Sequence, residues 1–282
     1  MEQQNSAQAF APAHISGIFV IDIKKDARYS GSMGCGICLE DGAVTRVLTG
    51  KKTSIKINGK VTQAPTTLSV IRFLTSQPVL IETELNIPVG AGLGASGAGA
   101  FSTALALNEA LSLNKSFNEL AQAAHIAEVT NMTGLGDVTG QCCGGVDIRK
   151  KAGVPPIGIV DRIPCKSAII SWISFGGIST RSVLSDDSKK REINIAGKTS
   201  LKELLKKPTL TNFFIQSCRF AKEIELMSPK VRDAIEAVEA AGGLASQAML
   251  GNTVFAINDN DALSYLGEVH KNRISNSGAH LI

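Results

Sequence analysis

Charge of one sign is scarce in this sequence of 282 residues: 29 lysines and arginines against 25 acidic residues leave a net +4. The excess is +1 over residues 1–155 and +3 over residues 156–282, so neither half carries the clustered basic face that duplex binding uses. The one dense charged run, Asp186 to Glu192, mixes both signs and reads as a solvated loop. No nucleic-acid partner is expected. Glycine and proline together supply 36 residues, about 13%, below the roughly 25% of low-complexity chains, while 44% of the chain is hydrophobic. Disorder, collagen and coiled coil are excluded.

Cysteine is too sparse for the disulfide framework of a small secreted domain, with six in all: Cys35, Cys38, Cys142, Cys143, Cys165 and Cys218. The single C-x-x-C, Cys35 to Cys38, has no second pair or histidine cluster at a zinc-like spacing, and vicinal Cys142 and Cys143 read as apolar fillers of a helix. Met1 to Ser6 is polar and lacks a basic residue, the wrong start for a signal peptide, so a cytoplasmic protein is expected. The longest run without a charge, Leu85 to Asn108, covers 24 positions and is long enough to cross a bilayer. Pro88 and the five glycines between Gly90 and Gly99 argue against a membrane span, and no membrane partner is expected.

What is present is an alternation of strand and helix patterns. The length suggests two domains, and the Gly153-Val154-Pro155-Pro156 stretch suggests the linker, dividing the chain into residues 1–155 and 156–282. Strand-like runs at 17–23, 34–39, 44–48 and 53–57 point to an antiparallel sheet, and Val79, Ile81, Thr83 and Leu85 alternate with Glu82 and Glu84 in a half-buried strand. Helices are expected from Ser96 to Leu111 and from Ser116, where Ser116 and Glu119 make a capping box, with a short one opening at Asp137 and a strand from Val146 to Arg149. The second half adds strands at 157–160 and 168–175, helices at 201–205, 211–227 and 229–241, and strands near 245–250 and 253–257. The class is α+β.

The segment Pro88 to Ala100, PVGAGLGASGAGA, joins a strand to a helix through small residues, so backbone N–H groups of the turn and of the first helical turn can converge on a phosphate. A Walker A loop fails, because Ala98 and Gly99 stand where Lys and Ser or Thr belong. Gly92, Gly94 and Gly97 match G-x-G-x-x-G, but a second helix follows where a dinucleotide site needs a strand. A protein-kinase loop would sit in a hairpin.

PVGAGLGASGAGA resembles the P-x-x-x-G-L-x-S-S-x-A signature of the GHMP kinases, with Ala95 in place of the first serine and Ser96 as the second. Phe10 to His14 echoes the family's N-terminal motif, and Gly242 to Ala256 loosely echoes its C-terminal one. AFAPAHISGIF, GSMGCGICLEDG, HIAEVTNMTGLGDVTGQCCGG and GGISTRSVLSD are similar to the pantoate kinases of archaea within that family. The resemblance implies an N-terminal domain like ribosomal protein S5 domain 2, a ferredoxin-like C-terminal domain, ATP and Mg²⁺ as cofactors, a small-molecule acceptor, and a homodimer. It implies ATP phosphates held by Gly90, Gly92, Leu93, Gly94, Ala95, Ser96, Gly97 and Ala98, and an acceptor site that draws on His14, Ser32, Thr180 and Arg181.

Three residues would carry the chemistry. Ser96 can place its oxygen on Mg²⁺ or cap its helix. Glu128, near a helix C-terminus that disfavours a carboxylate, is by resemblance the second magnesium ligand, or else a solvated surface residue. Asp137 is by resemblance the catalytic base, or else an ordinary N-cap. Arg149 could hold a substrate carboxylate through two parallel hydrogen bonds, or simply begin the solvated run Arg149-Lys150-Lys151. Beyond phosphorylation of pantoate, the alternatives are another GHMP acceptor or a non-catalytic nucleotide sensor.

Overall fold

A computed structural model of the chain describes residues 6–178 and 180–282. A long hairpin of β1 (Ser6–Asp22) and β2 (Gly31–Thr49) leads into β3 (Ser54–Ile57), β4 (Lys60–Val61), α1 (Pro65–Leu74) and β5 (Val79–Leu85). After the glycine-rich turn come α2 (Ala95–Ala110), α3 (Phe117–Asn131), α4 (Asp137–Cys143), β6 (Val146–Lys151) and β7 (Ile159–Ile163). Next are β8 (Ile169–Gly177), α5 (Thr180–Ser185), α6 (Asp187–Lys206), α7 (Leu210–Glu223) and α8 (Pro229–Ala240). The chain closes with β9 (Leu244–Gln247), β10 (Gly251–Ile257), β11 (His270–Arg273) and β12 (His280–Leu281).

The strands make two sheets. The larger runs β12-β1-β2-β5-β3-β4, with β6 paired to β2 and β7 to β6, and the smaller runs β11-β8-β10-β9. The 155/156 division falls inside the β6–β7 connection, so the larger sheet also takes in Ile159–Ile163 and, through β12, His280–Leu281. β3 pairs with β5 in parallel, against the all-antiparallel expectation. A parallel pair needs a crossover, and α1 supplies it, opened by Pro65 in its first turn, where proline is tolerated.

Local signals at helix starts hold well. Ser116 caps α3, and both halves of its capping box form with Glu119. The charged run from Asp186 is not a loop. Asp186 accepts the N–H groups of Ser188 and Lys189, and the alternating signs pair three residues apart as Lys189–Glu192 and Lys190–Asp187, so the run forms the first turns of α6.

α2 explains the missing charge. It packs against β1 and β2 with α1 and α3 beside it, and 13 of its 16 residues are buried; its one exposed residue, Glu109 near the C-terminal end, is also its one charged residue. Ile15, Ile18 and Phe19 of β1 meet Phe213, Phe214 and Phe220 of α7 and Trp172 and Phe255 of the smaller sheet, which joins the two sheets through one core. Val231, Ala234, Ile235 and Val238 of α8 cover the smaller sheet. Cys35 and Cys38 are free and buried in β2, and burial pushes both thiols up, so they act as small apolar residues. Among the described residues no helix is long and apolar enough to cross a membrane.

Candidate active site

The turn between β5 and α2 is built for close approach. Gly90, Gly92 and Gly94 have φ of 81°, 80° and 66°, the left-handed region that glycine enters at little cost. The segment from Ala248 to Gly251 closes on it from outside. A Cβ on Gly251 would lie 2.0 Å from the Ala91 carbonyl oxygen and one on Gly92 2.9 Å from the Gly251 nitrogen, so both segments need glycine where they touch. The turn, Glu128, Asn131, Asp137, Thr180, Arg181, Met249 and Leu250 are among the residues that line a cavity of about 290 Å³.

The first N–H groups of α2 have no intrahelical partner, and Gly94, Ala95 and Ser96 at this end of the helix line the cavity. Gly94 is the N-cap and offers no side chain, so the Ser96 hydroxyl is not used in capping. It lies close enough to the Glu128 carboxylate of α3 to favour its charged form. Glu128 is 2% exposed and its Oε1 accepts the Thr133 hydroxyl at 2.6 Å. Burial, reinforced by the negative charge of Asp137, pushes its carboxyl up to about 7, against the Ser96 hydroxyl and the hydrogen bond from Thr133.

Asp137 is likewise no cap. Gly136 holds that position without a side-chain bond, and Asp137 Oδ1 lies 2.8 Å from His14 Nδ1. The two carboxylates converge over Gly134, where a Cβ would lie 2.1 Å from Glu128 Oε2 and 2.9 Å from Asp137 Oδ2. On the other side of Asp137 is a second, smaller cavity of about 50 Å³, lined among others by Ser16, Ser32, Gly136 and Leu184. Asp137, Thr133, Thr180, Met249 and Leu250 border both spaces. The two chambers adjoin at these five residues, and Asp137 is the one carboxylate where they meet.

Residues 62–145 match the family described as GHMP kinases N terminal domain. The chain is 36% identical to a pantoate kinase of Methanocaldococcus jannaschii, over 94% of this chain and 97% of that one. It is 34% identical to a pantoate kinase of Thermococcus kodakarensis, over 89% and 87%. The chain belongs to the GHMP kinase family. A solved phosphotransferase related to the CoA biosynthesis pathway is 26% identical and superposes with a TM-score of 0.90 over 98% of each chain. The two-sheet α+β architecture is thus that of a GHMP kinase.

Of the site residues expected for a GHMP kinase, Gly90, Gly92, Leu93, Gly94, Ala95 and Ser96 line the larger cavity. Gly97 is buried behind it against Gln141 and Asp137. Ala98 departs from expectation: it is fully buried and its N–H is committed to the Gly94 carbonyl at 2.9 Å, so the free donors end at Gly97. Thr180 borders both chambers and Ser32 the smaller one. Arg181 is in the larger chamber, beside the glycine turn rather than the acceptor side.

His14 and Arg149 line neither chamber. Arg149 is neither solvated nor free, because it is wholly buried, ion-pairs with Asp147 and donates to Ser16 Oγ at 3.0 Å. Its Nε has no partner and lies against Gly136, where a Cβ would come within 2.9 Å. His14 bridges Asp137 and Asp147, each at 2.8 Å. Sequence reasoning missed Asp147, Ser16, Met249, Leu250 and Gln141, whose Nε2 donates to the Gly94 carbonyl at 3.1 Å. Asp147 had a signal: in the strand Val146-Asp147-Ile148-Arg149 the two charges share one face by the two-residue period, and all four residues are buried. Gln141 had none.

Proposed function

We propose that this GHMP kinase transfers the γ-phosphoryl group of ATP to the C4 hydroxyl of pantoate, giving 4-phosphopantoate and ADP. The observation that carries the reading is the position of Asp137 between a glycine-walled chamber and a smaller one. The free N–H groups of the turn and of α2 as far as Gly97, with the Arg181 guanidinium, hold the phosphates. Asp137 accepts or orients the proton of the acceptor hydroxyl where the chambers meet. Ser16, Ser32 and Thr180 offer hydroxyls to the acceptor, with Arg149 behind Ser16 and its free Nε–H behind Gly136.

Ser96 and Glu128 would hold Mg²⁺. The site fits a hard cation: its donors are oxygens, and the groups that act on buried Glu128 include a second carboxylate and no cation. When bound, the ion neutralises phosphate charge and spares Glu128 the cost of burial. Most of the rate then comes from positioning and charge, as phosphoryl transfer requires.

The test is ADP release across pantoate, homoserine, mevalonate and shikimate. Pantoate should give the highest kcat/KM. Turnover of another acceptor about tenfold better, or ADP release indifferent to acceptor, overturns the reading.

A further inference from the structure

Behind Asp137 is a line of buried side chains that the reaction so far leaves without a role. His14 is fully buried, with Nδ1 2.8 Å from Asp137 Oδ1 and Nε2 2.8 Å from Asp147 Oδ2. An ionised carboxylate only accepts hydrogen bonds, so each contact needs an N–H on the ring. A neutral imidazole has one. Arg149 ion-pairs with the other oxygen of Asp147, and its Nη1, which can only donate, lies 3.0 Å from His14 Nε2. That contact suits an Nε2 without a proton, whereas the Asp147 contact at 2.8 Å needs one, and the shorter contact with a full negative charge favours the proton. With the ring as an imidazolium, two carboxylates and two cations cancel. With a neutral ring, one carboxylate oxygen faces a ring nitrogen that has no proton to give, and at Asp147, which is fully buried, that loss is costly. Among the described residues, the other titratable groups near this line are Cys38, opposite His14 in the β1–β2 register, Cys35 and Cys143, all held as thiols by burial, with Glu128 on the far side of Asp137. The backbone is shaped around the ring: a Cβ at Gly36 or at Gly140 would come within 2.3 Å of Nε2.

Resting on the kinase reading above, we propose that His14 and Asp147 are positioning residues for phosphoryl transfer: Asp147 keeps His14 an imidazolium, whose Nδ1–H fixes the Asp137 carboxylate where the chambers meet. Burial works against the charged ring, but the charge of Asp147 and the hydrogen bonds with Asp137 and Asp147 outweigh it, so His14 titrates above its ordinary value. The imidazolium is present below that raised value and lost as pH climbs through it. Turnover should therefore have an alkaline limb that belongs to His14.

The experiment is nitrogen NMR of protein labelled at its four histidines, read beside the pH dependence of kcat. The wild-type His14 ring should still carry protons on both nitrogens at pH 6.5, where an ordinary imidazole is half titrated. It is assigned by its loss in His14→Gln or, should that variant not fold, by elimination with substitutions at His125, His270 and His280. In Asp147→Asn the ring should titrate lower, the alkaline limb should move down with it, and kcat on that limb should fall about tenfold with the KM for ATP nearly unchanged. A merely structural role would leave the limb in place. A neutral His14 ring in an enzyme that turns over, or a wild-type pH profile in Asp147→Asn, overturns the proposal. Absence of turnover on every acceptor sinks the kinase reading and the positioning role with it, while the NMR still reports the charge of His14.

Discussion

Replacing Glu128 by Gln should make the ligand-free protein more stable above neutral pH while removing most of its turnover. The side chain is 2% exposed and its Oε1 accepts from Thr133 at 2.6 Å. Gln keeps the shape and that acceptor and removes only the charge. In the folded protein burial, with the help of Asp137, pushes the carboxyl from its ordinary 4.5 to about 7. An unfolded chain ionises it near the ordinary value, so between the two values the folded state holds more protons and stability falls as pH rises. The difference corresponds to about 3 kcal/mol, absent below pH 4.5 and complete above about pH 7. At about 2 °C per kcal/mol for a chain of this length, Glu128→Gln should melt about 6 °C above wild type at pH 8, and close to it at about pH 4.5. MgADP should narrow the gap at pH 8, since the bound cation relieves the wild-type carboxylate and has less to hold in the variant. Turnover should fall on the order of 10². Scanning calorimetry at the two pH values, with ADP release at pH 8, decides it. A melting difference that does not change with pH, or a variant with full turnover, refutes the reasoning.

Asp137→Asn should lower kcat on the order of 10² or more with the fold retained, measured by ADP release and circular dichroism; near wild-type turnover would remove Asp137 from the reaction. Gly134→Ala sets a methyl 2.1 Å from Glu128 Oε2, the far end of a flexible side chain. It should therefore shift the melting midpoint little, within about 3 °C, while kcat falls about tenfold because the carboxylate is displaced; an active variant would show that the Glu128 position is not critical. Arg149→Gln leaves Asp147 buried without its guanidinium and should cost about 3–5 kcal/mol in a urea titration, which a near-neutral result would contradict.

What was legible in the sequence is what depends on neighbours along the chain. Ser96, Glu128 and Asp137 follow from the resemblance of the glycine-rich segment and of the GLGD turn to the GHMP kinases, motifs that act over a few residues, and the three line one cavity. The capping box at Ser116 is legible for the same reason. The acceptor side was less so, because its organising bonds join residues far apart: His14 reaches Asp137 and Asp147 across 123 and 133 positions. No spacing rule reports such pairs. The alternation pattern starts the first strand at Gly17, but β1 begins at Ser6. Its alanines, Ala9 and Ala11, pack with the α2 residues Ala98, Phe101 and Ala104, and small residues chosen for close packing carry a weak strand signal. Pro12 is tolerated there because the β1–β2 register shifts beside it. In α6 the expected loop failed because capping by Asp186 and pairing three residues apart outweigh the polarity that suggested solvent.

Phosphorus NMR of the product most directly tests the central claim, that Asp137, where the chambers meet, serves transfer from ATP to a pantoate hydroxyl. Incubation of the protein with MgATP and pantoate should yield one equivalent of ADP per new phosphomonoester, with the phosphorus coupled to the C4 protons of pantoate, and Asp137→Asn should yield neither at a comparable rate. Free phosphate in place of the ester, or an ester formed as fast by Asp137→Asn, would contradict the account.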